Sequence, residues 1–261
     1  SFHAQMDYIH LVYGLMLVLL ASTCYVVQLK GYANLPWRWL GLFALLHGIR
    51  QWMEILADGP VNSPAFGWIS IAVSTVSFFF LLEFARTGQA SLGKPSPGRW
   101  ILAPLLALVL LAATAGIQEA NAGGRYGLCL VGGLWSASVL WRATTAAPGT
   151  VPWLRIAGLA LAAYSVITGL FVPSSSWSIA QYLTYEFFQQ VFGVPVQVAR
   201  ALLAGLLGMS IWRYAHGQMV AERARLGFKT RDYTAAFVVS ALSVFVVTGW
   251  LATEHITRET E

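Results

Sequence analysis

The stretch Pro36–Ala57, PWRWLGLFALLHGIRQWMEILA, decides the fold. About 20 mostly apolar residues are enough to cross roughly 30 Å of hydrocarbon as one helix. Trp37 and Trp39 open the stretch, where indole rings anchor a span at the lipid–water interface. Asp58-Gly59-Pro60 closes it with a strong breaker. Inside the apolar run sit His47, Arg50, Gln51 and Glu54. A charge at membrane depth costs about 2.5–3.5 kcal/mol on insertion scales, so such side chains face a bundle interior and find partners. His47, Arg50 and Glu54 fall on one helix face, and Arg50 and Glu54 form an i, i+4 pair of opposite sign.

Working outward, similar apolar runs occupy Met6–Leu29, Ala65–Ala85, Trp100–Ile117, Tyr126–Thr144, Val151–Val172, Val194–Tyr214 and Tyr233–Ala252. The basic residues alternate between the gaps. Those after the first, third, fifth and seventh runs, with the run ends that flank them, hold Lys30, Arg38, Arg86, Lys94, Arg99, Arg142, Arg155, Arg213, Arg223, Arg225, Lys229 and Arg231, whereas the other gaps and the tail hold Arg125 and Arg258. This is the positive-inside pattern. It predicts an all-α, polytopic membrane helix bundle of seven transmembrane helices plus an eighth C-terminal span, with the N-terminus outside. Arg50 and Arg200 are left inside spans.

Composition agrees. The 261-residue chain is 57% hydrophobic and 10% charged, with a mean hydropathy of +0.63, against about 25% charged residues in a soluble domain. Its net charge of +5 is carried by gaps that face anionic lipid, so the expected partner is the bilayer and not nucleic acid. Cys24 and Cys129 lie in apolar runs and read as packing residues. The organisation expected is a seven-helix domain over 1–215, a basic cytoplasmic linker over 216–232, the eighth span over 233–252 and an extracytoplasmic tail over 253–261. A span that emerges into a polar tail reads as part of a longer protein.

The connection Pro173–Gly193 is the longest outside segment, and its aromatic part, Ile179–Phe192, is expected to form a short interfacial helix or a lid over the bundle. Gly132-Gly133, and Ala201, Ala204, Gly205 and Gly208, predict close helix contacts.

The buried polar groups gather toward one end. Asp7 and His10 begin the first run, Arg50 and Glu54 lie in the outer half of the second, Gln197 and Arg200 open the seventh, and Glu186, Gln189 and Gln190 just precede it. If these runs are neighbours, the groups surround a polar cavity open to the outside. Arginine offers a bidentate fork to a small polar or anionic ligand. The competing readings are buried ion pairs, Arg50 with Glu54 and Arg200 with Glu186 or Asp7, that fix helix packing, or a path for protons or ions. The candidate ligand-binding residues are His47, Arg50, Glu54, Glu186, Gln197 and Arg200. Glu83 reads as an interfacial partner of Arg86 or Lys94. His47 with His10 is weighed as a haem or metal pair, but a lone span histidine is more often a hydrogen-bonded packing group, and neither cofactor nor metal is expected. The sequence has no phosphate-binding glycine loop, HExxH motif or nucleophile elbow, and no catalytic residue is assigned.

Two stretches, Phe43–Leu56 (FALLHGIRQWMEIL) and Phe192–Ala204 (FGVPVQVARALLA), resemble the N-terminal seven-span membrane domain of many bacterial sensor histidine kinases and some diguanylate cyclases. The matching positions are His47, Gly48, Trp52 and Glu54, then Gly193, Pro195, Val196, Gln197, Arg200 and Ala201. The resemblance implies a receptor domain in the bacterial inner membrane, working as a homodimer, with kinase or cyclase activity only in a longer parent. This chain carries no phosphoacceptor histidine box or cyclase motif. The rival classes are an accessory or structural subunit of a larger membrane complex, or a transporter, against which the lack of internal repeats argues.

Overall fold

A computed structural model describes residues 2–57, 63–143, 151–174 and 181–225. The expected eighth span and tail, most of the linker and the Asp58-Gly59-Pro60 break lie outside the described residues.

The described chain is all-helical. Helix α1 (Phe2–Lys30) turns through Gly31, whose φ of 67° suits a residue without Cβ, and a single 3₁₀ turn leads into α2 (Trp37–Ala57). Two contacts build this corner: Nε1 of Trp37 donates to the Tyr32 carbonyl (2.7 Å), and Oε1 of Gln28 accepts from the backbone N–H of Arg38 (2.9 Å), an amide in the otherwise unsatisfied first turn of α2. Ser63 caps α3 (Pro64–Ser91), accepting from the Phe66 N–H at 3.2 Å with Pro64 in the first turn. Helix α4 (Leu102–Ala113) follows a proline- and glycine-rich connection. Helix α5 (Ile117–Gly124), a π turn (Arg125–Leu130) and α6 (Val131–Arg142) run on without leaving helical dihedrals. Helix α7 (Val151–Leu170) precedes the short α8 (Tyr185–Phe192), which Gly193 ends at φ 72°; α9 (Val196–Arg225) leaves at 81° to it.

Helices α1, α2, α3, α6, α7 and α9 each pack on the next, and α9 closes back on α1. They form a ring, with α4 leaning on α5 from outside. The middle is aromatic. Tyr13, Phe43, His47, Phe78 and Tyr164 are all essentially inaccessible; His47 stacks on Phe43 and is tilted to Phe78, while Tyr13 meets His47 and Tyr164 meets Phe43 edge-on. The predicted close approaches occur. A Cβ on Gly132 would stand 2.8 Å from Cγ of Leu82 on α3, and Gly208 of α9 faces the backbone of Leu20 on α1. Glu83 receives a fork from Arg86 (2.8 and 3.2 Å), with Arg99 at 3.8 Å.

The outside of the ring is apolar. Leu29, Leu111, Leu159 and Leu202 are each 59–70% exposed. Helices α1, α3 and α7 are long and apolar enough to cross a membrane, and the bent pair α8–α9 makes a fourth. Helix α2 is not among them, since its polar residues lower its mean hydropathy, and α4 and α6 are short. Greasy outer surfaces on long helices are those of a membrane protein, because a soluble monomer rarely exposes large contiguous apolar patches.

Helices α3 and α9 run on past the ends of their apolar runs, to Ser91 and Arg225, and the boundary between the fourth and fifth runs is redrawn. Helix α4 stops at Ala113 rather than Ile117, and the next helix starts at Ile117 rather than Tyr126. Gly116, at φ 149°, breaks the chain there, while Gly123-Gly124, in the gap between the fourth and fifth apolar runs, is helical and buried at the end of α5. Arg125, assigned to an outside gap, is therefore inside the bundle and 1% exposed.

Candidate ligand cavity

Helix α7 ends short of a hydrogen-bonded continuation, so its last carbonyls need partners and carry the negative end of the helix dipole. Two arginines supply them. Nη2 of Arg200 donates to the carbonyls of Phe171 (2.7 Å) and Ile167 (3.2 Å), and Nη1 of Arg125 donates to that of Thr168 (3.0 Å). Arg125 is steadied from its own helix by Oδ1 of Asn121 at 2.9 Å. Arg200 also donates to the Tyr185 hydroxyl (3.3 Å), and its guanidinium lies 5.0 Å from the centre of that ring. Among the described residues neither arginine has a carboxylate within ion-pair distance.

Across from them, Nη2 of Arg50 meets Oε1 of Glu54 at 2.6 Å, the pair expected from their spacing. Nδ1 of His10 donates to Oε1 of Gln51 (3.2 Å), tying α1 to α2 beside that pair. Between these walls lies a cavity of about 240 Å³. Arg50, Gln51 and Glu54 of α2, Ser70 of α3, Asn121 of α5, Tyr185 of α8 and Gln197 and Arg200 of α9 border it, with Phe66, Ile71 and Ile117 as apolar walls.

Of the six residues picked out in the sequence, Arg50, Glu54, Gln197 and Arg200 meet at this cavity. His47 does not border it. Its Nδ1 lies 3.1 Å from Oγ of Ser77, whose own proton goes to the Ser74 carbonyl (2.6 Å), so the imidazole is the donor. The ring packs between Phe43 and Phe78 at 5.5 and 5.3 Å between centroids. It is a hydrogen-bonded core residue beneath the cavity. Glu186 is exposed and is not among the lining residues, and Gln189 and Gln190 are exposed as well. The carboxylate pairing expected for Arg200 is replaced by helix-end carbonyls and a phenol.

The sequence reading missed Asn121, Arg125 and Tyr185. The signal for the first two was present as Gln118, Asn121 and Arg125, polar residues spaced three and four apart like those of α2. It lies in the gap between the fourth and fifth apolar runs, where no span is read. Tyr185 carried no pattern of its own; the turn at Gly193 folds α8 back to present it.

No family model, curated protein or solved structure matches this chain.

Proposed function

We propose that the chain is the membrane-embedded receptor domain of a bacterial signal-transduction protein in the inner membrane. In this reading seven helical passes cross the bilayer with the N-terminus outside, an eighth follows, and a longer homodimeric parent supplies a kinase or cyclase output. The observation that carries the reading is the continuity of α9. Its Arg200 borders the cavity, while about 30 Å further along, at 1.5 Å per residue, the carboxylate of Glu222 accepts from the Tyr32 hydroxyl at 3.0 Å in the α1–α2 corner. One continuous helix thus links the cavity to the opposite end of the bundle.

A ligand shifts such a bundle only by binding two packings with different affinity. Contacts to Arg200 compete with or reinforce its bonds to α7 and Tyr185, so occupancy of the cavity alters what holds α9 in place. The resemblance of the α2 and α9 stretches to bacterial sensor domains supports the same role.

The test is thermal stability of the purified chain across a chemically diverse panel of small molecules and lipids, for wild type, Arg200→Ala and Glu54→Ala. The reading expects a compound that stabilises wild type in a concentration-dependent way and loses its effect in folded variants. If nothing shifts wild type and both variants simply melt early, the charges are structural and the chain is better read as a subunit of a larger membrane complex.

A further inference from the structure

The cavity's polar atoms are not all satisfied. Nε of Arg50, Nε of Arg200 and Oγ of Ser70 are buried without a hydrogen-bond partner among the described residues, and all three side chains border the same space. Arg50, Ser70 and Arg200 are only 8, 7 and 3% exposed. A buried donor with nothing to donate to is costly, most of all on a charged group, and the bulk of buried polar groups in folded proteins are paired. Three such atoms, on α2, α3 and α9, around one cavity is a pattern that a ligand resolves.

The charge balance says which ligand. Among the described lining residues the permanent cations are Arg50 and Arg200, and the carboxylate is Glu54. Glu54 is already committed to Arg50 at 2.6 Å. The α7 C-terminus offsets Arg200 by about half a charge, and part of that offset is taken by Arg125 through Thr168. The cavity thus presents uncompensated positive charge and unused donors. Its size of about 240 Å³ falls just short of the roughly 300–1,000 Å³ of drug-sized pockets.

We infer that the cavity binds a small oxyanion, a carboxylate or phosphate group, between Arg50 and Arg200 with Ser70 as a third donor. This deepens the receptor reading and rests on it for the cavity's use. A guanidinium presents N–H groups in a plane that matches two oxygens of one oxyanion, and two guanidiniums with a hydroxyl hold it from several sides. Gln51 and Gln197 line the same space and offer amides to a second polar group on the ligand. A free metabolite and an anionic lipid headgroup share this chemistry.

The experiment uses the full chain in nanodiscs of phosphatidylcholine, with phosphate, acetate and succinate as probes and two controls, chloride at matched ionic strength and the neutral diamide of succinate. The inference expects saturable thermal stabilisation by at least one oxyanion and none by the controls. Arg200→Lys and Ser70→Ala should each weaken it by about tenfold or more, since a point charge does not replace the fork. Ser70→Ala removes no charge and remains informative if Arg200→Lys does not fold. In discs containing phosphatidylglycerol, stabilisation that soluble oxyanions fail to add to identifies the headgroup as the source; additive stabilisation identifies the free anion. If only the neutral diamide or other neutral compounds stabilise the protein, the oxyanion inference falls and the receptor reading stands. If no compound acts, both fall. An oxyanion effect that survives both substitutions unchanged is a general salt effect and overturns the inference.

Discussion

Nη2 of Arg200 lies 2.7 Å from the carbonyl oxygen of Phe171, so the start of α9 is fastened to the end of α7 by a charge-assisted hydrogen bond. The same guanidinium reaches Ile167 and the Tyr185 phenol, joining three helices at one wall of the cavity. Arg200 therefore serves the packing and the site together.

Lysine at this position keeps the charge but not the geometry. A single ammonium on a flexible stem cannot serve both carbonyls while stacking on Tyr185. Arg200→Lys is expected to lower stability by about 1.5–3 kcal/mol, the range for a hydrogen bond to a charged group, measured by thermal unfolding in detergent. A variant as stable as wild type would remove Arg200 from the packing account.

The ring is also tied across its middle, where the Tyr13 and Tyr164 hydroxyls meet at 2.6 Å in a fully buried site. Tyr13→Phe and Tyr164→Phe each strand the partner hydroxyl, at a cost of about 1–3 kcal/mol. The double Phe variant strands neither, so a double-mutant cycle should show strong non-additivity, with the double variant no less stable than the worse single one. Additive losses would mean the pair is not coupled.

Gly133 of α6 leaves room for Ser165 of α7, whose side chain occupies the place a Cβ would take. Gly133→Ala should destabilise by about 1–3 kcal/mol through overpacking, despite the gain in helix propensity. Ser165→Gly in the same chain should restore much of the loss. Rescue is read from melting curves, and its failure would place the strain elsewhere.

At the far end of α9, the Tyr32 phenol is pushed up to about 12 by burial and by its hydrogen bond to the Glu222 carboxylate. A tyrosine with a raised value in the fold keeps its contribution below the unfolded value near 10 and loses it as pH rises toward 12. Between those values wild type should lose more stability than Tyr32→Phe, measured as parallel melts across that range. Identical pH profiles would show that the contact contributes nothing.

Much of the architecture was legible because membrane helices advertise themselves through apolar length and small-residue contacts. That Gly208 and Gly132 sit at close helix contacts follows from where small residues cluster, whereas their partners, Leu20 of α1 and Leu82 of α3, do not. The Arg50–Glu54 pair was readable because i, i+4 geometry is local. What was not legible depended on non-local partners. Arg200 finds helix-end carbonyls and a phenol rather than a carboxylate, since a helix C-terminus is an anion-like partner that no side-chain pattern reveals. Arg125 was placed in a gap because the polar stretch Gln118–Asn121 interrupts the apolar run, whereas the chain is helical from Ile117 through Arg125. His47 lies on the same face as Arg50, but one turn deeper, where Ser77 and two phenyl rings already occupy it.

The central claim is that the cavity and the distant end of α9 are one coupled device. Its most direct test is a distance measurement by pulsed electron paramagnetic resonance between spin labels at Leu29→Cys on α1 and Val220→Cys on α9. Both sites are exposed, and the native Cys24 and Cys129 are buried. Spectra are recorded with and without a saturating amount of the compound that stabilises the protein most. The account predicts that the compound redistributes the α1–α9 distances, and that Arg200→Ala abolishes the response. An unchanged distribution with the cavity demonstrably occupied would contradict it.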